Sequence, residues 1–374
     1  MLVNPASGKG QAERVYRRSV ADTLLRAGVD ATVVFTERQG HATDVARGLG
    51  SASRGAAHDM VVVVGGDGIL HEVLNGLPEG SGVPVAVIPG GSGNAVAMSL
   101  LDGAGLACTP ENAAFAAARG ATVAADLLAL RQRGQNGGLP IRAVLSSTWG
   151  LISDVDIESE VLRWMGGARL TVYGLWRILR LRTYEGRVCF LPAAGEEAGE
   201  AQGARACGRP RGAADEGAEL AAIEAGEGDS AWRVVEGPLL FVWLKNTKWD
   251  AEDLKPAPRA RLADGCVDLI YMRAPVSRWR LLLLFLQLET GAHVGAKGVH
   301  YVKCRRVVLE PGASSTGKGG HVNVDGELLC AADARTAASQ GYSWAYGEGS
   351  PVDVSVLPGA STLVAPEGFA EDDD

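Results

Sequence analysis

The chain has 374 residues, 47% hydrophobic and 21% charged, the balance of a soluble globular protein with a sizeable core and two or three domains. Its net charge of -8 argues against a general nucleic-acid binder, although local basic patches stay open. Cys108, Cys189, Cys207, Cys266, Cys304 and Cys330 form no CxxC pair, which disfavours a zinc or redox motif and points to reduced thiols in an intracellular protein.

In chain order, the first third alternates strand and helix patterns. Met1–Val3 is a short apolar strand without the pattern of a signal peptide, and its abrupt start suggests that residues ahead of it are missing. Gly10–Ala27 has helical spacing in Val15, Val20, Leu24 and Leu25; Ala31–Thr36 is strand-like and His41–Leu49 helical. Met60–Val64 and Val83–Ile88 are continuous apolar runs, as in parallel strands buried on both faces, and His71–Leu77 between them is helical. This alternation predicts a layered α/β domain with a mostly parallel sheet over 1–124.

The pattern then changes. Leu127–Leu130, Ile141–Thr148, Arg187–Leu191, Leu239–Leu244, Val267–Met272, Val299–Val302 and Arg306–Glu310 read as strands, with helices at Glu158–Leu181 and Val276–Leu288. A β-rich, sandwich-like domain is predicted over 125–346. Within it, 193–230 is rich in Ala, Gly and Glu and cannot bury enough surface to offset its ordering entropy, so a disordered insertion is predicted. The acidic ending makes 347–374 a solvated tail. The longest strongly apolar run, Leu281–Leu286, is too short to span a bilayer.

Chemistry concentrates where strands end. Val64 runs into Gly65-Gly66-Asp67-Gly68, and Ile88 into Pro89-Gly90-Gly91-Ser92-Gly93-Asn94, each ahead of a helix. In open parallel sheets ligands sit beyond the carboxyl ends of the strands. Glycine lets backbone approach a ligand, and free N–H groups in such turns favour phosphates. A carboxylate there orients a metal ion or accepts a proton, or else serves as a helix N-cap. Asn4-Pro5-Ala6-Ser7-Gly8-Lys9-Gly10 is a third candidate turn, with Lys9 as a point charge for phosphate. The P-loop pattern is absent, and Val96 stands where a dinucleotide fingerprint wants Gly or Ala.

Taken together, V-V-V-V-G-G-D-G-I-L-H-E-V-L-N-G, P-G-G-S-G-N-A and N-P-A-S-G-K-G resemble the diacylglycerol kinase catalytic domain superfamily, which covers diacylglycerol, ceramide and sphingosine kinases. Trp149–Leu191, L-K-P-A-P-R-A-R-L-A-D-G-C-V-D-L-I-Y and N-V-D-G-E-L-L are similar to sphingosine kinases, especially plant-type long-chain base kinases. The resemblance implies an ATP- and Mg2+-dependent lipid kinase with its active site in the interdomain cleft. It would phosphorylate the primary hydroxyl of sphingosine or a related sphingoid base, giving the 1-phosphate and ADP. Asp67 is then the general base. Gly65, Gly66, Gly68, Gly91, Ser92 and Gly93 line the phosphates, with Asn4, Lys9, Thr36, Arg163, Arg169, Asp325, Gly326 and Glu327 also at the nucleotide. Asp325 and Glu327 are the metal candidates, and Glu72, also placed at the nucleotide, braces the glycine turn.

For the lipid, the resemblance implies Asp156 at the headgroup and Ser146 at the hydroxyl. A sphingoid amine is a cation and needs a nearby carboxylate once desolvated, and Asp156 provides one; acidic residues also favour a helix start. Leu151, Ile152 and Leu170 are candidates for the apolar wall, where plain core is the competing reading. Trp279 and Arg280 are candidates for a peripheral membrane surface; the poor solubility of a lipid substrate, rather than any anchor motif, implies a cytoplasmic protein peripherally associated with a membrane, and a homodimer is left open. Alternatives are a ceramide or diacylglycerol kinase on the same scaffold, an NAD kinase, and a non-catalytic lipid-binding scaffold.

Overall fold

A computed structural model describes residues 1–51, 58–132, 140–166, 168–196, 204–208, 210, 231–251, 253–317, 320–330 and 351–371. It divides into two compact units. One comprises Met1–Leu127, Thr247–Asp264 and Leu357–Asp374; the other comprises Leu128–Asn246 and Gly265–Val356.

The first unit begins with β1 (Leu2–Val3), α1 (Ser7–Gly10), α2 (Ala12–Val15) and α3 (Ala21–Arg26), then β2 (Val34–Phe35) and α4 (His41–Ser51). It continues with β3 (Val61–Gly65), α5 (Asp67–Gly76), β4 (Pro84–Pro89), α6 (Ala95–Asp102) and α7 (Pro110–Arg119). The strands pair in parallel in the order β2-β1-β3-β4. Every residue of β3 is buried, as expected for a central parallel strand covered on both faces. Val3, Val62, Val64, Ala86 and Ile88 of the sheet pack with Leu24, Leu101, Ala114 and Ala117 of the helices in one apolar core.

β5 (Ala121–Gln132) leads into the second unit, which is antiparallel. It contains β6 (Ile141–Ala143), β7 (Ser146–Gly150), α8 (Leu151–Glu158), α9 (Ala168–Leu179), β8 (Tyr184–Pro192), β9 (Arg205–Ala206) and β10 (Arg233–Lys245). β11 (Val267–Arg273), α10 (Arg278–Leu286), β12 (Val299–Ser314), β13 (Val322–Val324), β14 (Glu327–Cys330) and β15 (Val352–Ala365) follow. The path runs β14-β13-β7-β10-β11-β12, with β8 pairing both β10 and β12.

Three expectations change. The helix expected over Glu158–Leu181 starts earlier, at Leu151, and breaks at Met165–Gly166, where Gly166 has φ of 66°. The tail expected over 347–374 instead contains β15, whose later part pairs in parallel with β4 through Thr362 and Leu363. Its valines at 352, 354 and 356 alternate with polar residues and are buried, a strand period that the acidic ending obscured. Most of the insertion expected over 193–230 lies outside the described residues, but Arg205–Ala206 pairs with β10. Cys108, Cys189, Cys207, Cys266 and Cys304 form no disulfide. Among the described residues no helix is long and apolar enough to cross a membrane.

Candidate active site

The glycine turns of the first unit interlock. Gly90 donates its N–H to Gly65 O at 2.9 Å, and Asp67 N–H reaches Gly93 O at 3.1 Å. A Cβ on Gly66 would lie 2.7 Å from Gly93 O, and one on Gly91 only 2.3 Å from Gly66 Cα. A Cβ on Gly8 would lie 2.4 Å from Gly90 O, so the turn after β1 joins the other two. These contacts are backbone on backbone and cannot yield to a side chain. Asn94 holds the second turn from within: its Oδ1 accepts N–H bonds from Gly90 and Gly91, and its Nδ2 donates to Gly91 O. Asn94 was quoted in the sequence motif but not assigned a role; its position ahead of a helix was the available signal.

Asp67 is the first residue of α5 and only 8% exposed. Its Oδ2 accepts the N–H of Ala95 at 2.9 Å and its Oδ1 that of Val96 at 3.2 Å. The carboxylate thus sits at the start of α6, where unpaired backbone N–H groups welcome negative charge. It joins the second glycine turn to the first. Gly68 and Ser92 are exposed at the surface of the turns, and Gly93 is half-buried.

Asn4 also shapes its own turn, accepting Ala6 N–H at 3.0 Å, while its N–H bonds Val64 O across the sheet. Thr36, just past β2, donates its N–H to Val3 O at 2.8 Å and therefore lies at the same end of the sheet. The side chains of Lys9 and Arg163 lie outside the described residues. Glu72 departs from expectation: its carboxylate accepts the N–H groups of Gly40 and Ala42 at 2.9 and 3.1 Å. It braces the start of α4 rather than the Gly65–Gly68 turn, because α5 turns that residue toward the neighbouring helix and leaves it one helical turn from Gly68.

In the second unit the acidic run at α8 splits by helical face. Asp154 and Glu158, four residues apart, point the same way, whereas Asp156 points elsewhere. Asp154 is fully buried. It accepts hydrogen bonds from Tyr184 OH at 2.6 Å, Arg182 at 2.8 Å, Arg177 at 3.5 Å, Gly320 N–H at 2.7 Å and His321 N–H at 3.4 Å. Arg182 also bonds Glu158 at 2.6 Å, and Tyr173 OH donates to Glu158 at 2.9 Å. Burial, and then the charge of Asp154, push the Tyr184 phenol far above its ordinary range; burial and Glu158 push Tyr173 up to about 12. Burial opposes the charge on Arg182, but Glu158 and Asp154 outweigh it and hold the guanidinium above its usual value. Ligand atoms of Asp154, Glu158 and His321 lie within 4.8 Å of one another. Two guanidinium groups already answer those carboxylates, so this is an ion-pair core and not a cation site.

Asp156 is half-buried and accepts a hydrogen bond from Asn323 Nδ2 at 2.7 Å. Leu151 beside it is buried, and Ile152 and Leu170 are half-buried. Arg169 pairs with Glu160 in this structure. Ser146 is 7% exposed at the start of β7, and its C=O accepts Asp325 N–H at 2.9 Å.

Asp325 and Gly326 form the tight turn between β13 and β14, with φ of 49° and 82°, the geometry favoured by an Asp-Gly hairpin. The Asp325 carboxylate accepts the N–H groups of Val144, Leu145 and Ser146 at 2.9 to 3.0 Å. The expected metal ligand is therefore turned to the backbone between β6 and β7. Three backbone N–H groups already bond this carboxylate, a poor fit to Mg2+ at Asp325. Glu327, half-buried on β14, is a carboxylate, the oxygen ligand type that Mg2+ takes.

Residues 1–130 match the diacylglycerol kinase catalytic domain, and 229–365 match the YegS C-terminal NAD kinase beta sandwich-like domain. A diacylglycerol kinase from Bacillus anthracis str. Sterne shares the fold at a TM-score of 0.58 and 16% identity, over 99% of this chain and 97% of that one. Parallel strands ending in interlocked glycine turns and followed by an antiparallel β-rich unit are thus the diacylglycerol-kinase-type catalytic fold. Sphingosine kinase 1 of Arabidopsis thaliana is 34% identical over 98% of this chain and 75% of its own length. Sphingosine kinase 1 of Homo sapiens is 35% identical over 92% of this chain and 89% of its own. The chain belongs to the sphingosine kinase family and is a lipid kinase.

Proposed function

We propose that this kinase transfers the γ-phosphoryl group of ATP to the primary hydroxyl of sphingosine or a related sphingoid base, giving the 1-phosphate and ADP. The observation that carries the reading is Asp67, a nearly buried carboxylate fixed by two backbone N–H groups among three interlocked glycine turns. A carboxylate held in this way is a proton acceptor for an attacking hydroxyl, and its backbone bonds keep it in place. The N–H groups of Ser92 and Gly93 face the triphosphate in this reading, as glycine-turn amides do for anions. Mg2+ bound with the nucleotide offsets charge on the transferring group, with Glu327 as the protein oxygen suited to it. Asp325 acts by shaping the backbone at Ser146, which receives the lipid hydroxyl.

Asp156 receives the substrate amine, which diacylglycerol and ceramide lack. Transfer of labelled γ-phosphate to sphingosine, ceramide, diacylglycerol and NAD in parallel tests the assignment. Sphingosine alone is expected to be labelled, and Asp156→Asn is expected to raise its KM at least tenfold. Labelling of a neutral lipid that ignores Asp156→Asn would overturn the substrate.

The kinase meets its substrate as a cytoplasmic protein docked on a bilayer surface. α9 exposes Val172, Leu175, Trp176 and Leu179; α10 exposes Trp279, Leu283 and Leu286. Arg278 donates to Leu179 O at 3.1 Å, which brings the two apolar stretches side by side. An exposed contiguous apolar patch of this kind marks an interaction surface, and the lipid substrate resides in a membrane. Trp279 is 79% exposed, so its truncation costs the fold little. Trp279→Ala with Leu283→Ala is expected to cut co-sedimentation with phosphatidylcholine/phosphatidylserine vesicles several-fold; unchanged sedimentation would remove this surface from the account.

A further inference from the structure

Asn323 lies on β13 directly opposite Thr148 of β7 and is fully buried. The Thr148 hydroxyl donates to Asn323 Oδ1 at 2.7 Å, and Asn323 Nδ2 donates to Asp156 Oδ2 at 2.7 Å. The Ser147 hydroxyl anchors the same residue by donating to its backbone C=O at 2.9 Å. The chain of bonds has one sense. An ionised carboxylate only accepts, so the amide must present its NH2 group to Asp156, and its oxygen then takes the threonine proton. A half-turn of the amide would set oxygen against oxygen at the carboxylate; the Thr148 hydroxyl both donates and accepts, so it is Asp156 that fixes the sense of the chain.

The chemistry of the partner matters as much as its position. Asp154 and Glu158 on the same helix are answered by arginines, which compensate their charge. The amide of Asn323 acts on Asp156 by a directed N–H bond, which sets where the carboxylate points. We propose that Asn323, held by Thr148, is a positioning residue for substrate discrimination. It fixes the rotamer of Asp156 so that the carboxylate meets an ammonium group, and lipids without an amine gain nothing from it. This inference rests on the reading of Asp156 as the amine receptor given above.

Steady-state kinetics of sphingosine phosphorylation by the full chain test it. A hydrogen bond to a charged group is worth about tenfold or more in binding. Asn323→Ala is expected to raise the KM for sphingosine about tenfold, with kcat and the KM for ATP within about twofold of wild type. Thr148→Val keeps the shape of its site and loses only the hydroxyl that sets the amide; it is expected to give a smaller rise, about threefold, in the same parameter. It decides the question should Asn323→Ala fail to fold. The double variant Asp156→Asn/Asn323→Ala is expected to be no worse than Asp156→Asn alone, because both act through one carboxylate. An unchanged sphingosine KM in the folded Asn323 and Thr148 variants, beside a raised one in Asp156→Asn, overturns this role and leaves the amine reading standing. An equal rise in the KM for ATP, or additive losses in the double variant, also overturns it. An unchanged KM in Asp156→Asn overturns the amine reading itself.

Discussion

Asp67→Asn is expected to lower kcat by about a hundredfold to ten-thousandfold, the range that a positioned proton acceptor supplies. The change is nearly isosteric, and both glycine turns remain. What is lost is the charge and one acceptor. Ala95 N–H and Val96 N–H each bond a different oxygen of Asp67. The new NH2 group must face one of them, donor against donor, and that N–H loses its partner in a nearly closed site. The stability cost is about 1–3 kcal/mol, enough to lower a melting temperature but small beside the expected effect on turnover. The two effects separate by measurement: a thermal melt reads the helix start, ATP binding reads the glycine turns, and single-turnover phosphorylation reads the proton transfer. ATP affinity is expected to fall only modestly. A kcat within tenfold of wild type in a folded, ATP-binding variant would exclude Asp67 as the base and leave it as the bracket between α5 and α6.

The difference between what was legible in the sequence and what was not follows from how far each signal reaches along the chain. β3 and β4 are readable because burial on both faces demands unbroken runs such as Val61–Val64, and the turns after them because only glycine fits where backbone meets backbone. The family resemblance added the expected roles of Asp67 and Asp156, which the pattern of the residues alone left open. Partner choice is less readable, since it depends on which distant segment arrives. Glu72 reaches Gly40 and Ala42, and Asp325 reaches Val144, Leu145 and Ser146 across some 180 residues of chain. Both carboxylates were expected at the nucleotide, and both spend their oxygens on backbone N–H groups. β15 was hidden for a different reason: its strand period is short and lies beside an acidic ending whose composition suggests solvent. The role of Asp154 was partly readable. Its spacing of four from Glu158 puts both on one helical face, and helical geometry alone separates that face from Asp156.

Asp154→Ala is expected to cost about 3–5 kcal/mol of stability, the penalty for leaving buried charge without its counterpart. Arg177 is 2% exposed and cannot turn to water. Its Nε lies 3.9 Å from Glu158, a distance for ionic attraction and too long for a hydrogen bond. Tyr184, also fully buried, would lose the acceptor of its hydroxyl, and Gly320 N–H the oxygen at 2.7 Å. One carboxylate therefore ties α8 to α9 through Arg177, to the segment before β8 through Arg182, to β8 through Tyr184 and to the approach of β13 through Gly320. A domain of ordinary stability holds only about 5–15 kcal/mol in reserve, so the variant is expected to unfold at a much lower denaturant concentration. Glu160→Gln supplies the contrast. Its pair with Arg169 is partly open to solvent, at 31% and 22% side-chain exposure, and its loss is expected to cost under about 1 kcal/mol. Chemical denaturation of the two variants beside wild type reads the difference directly. An Asp154→Ala midpoint close to that of Glu160→Gln would mean that Arg177 and Arg182 are held by Glu158 alone. The expected ordering instead makes α8 a helix anchored by the buried Asp154, two positions before Asp156, the proposed receptor of the substrate amine.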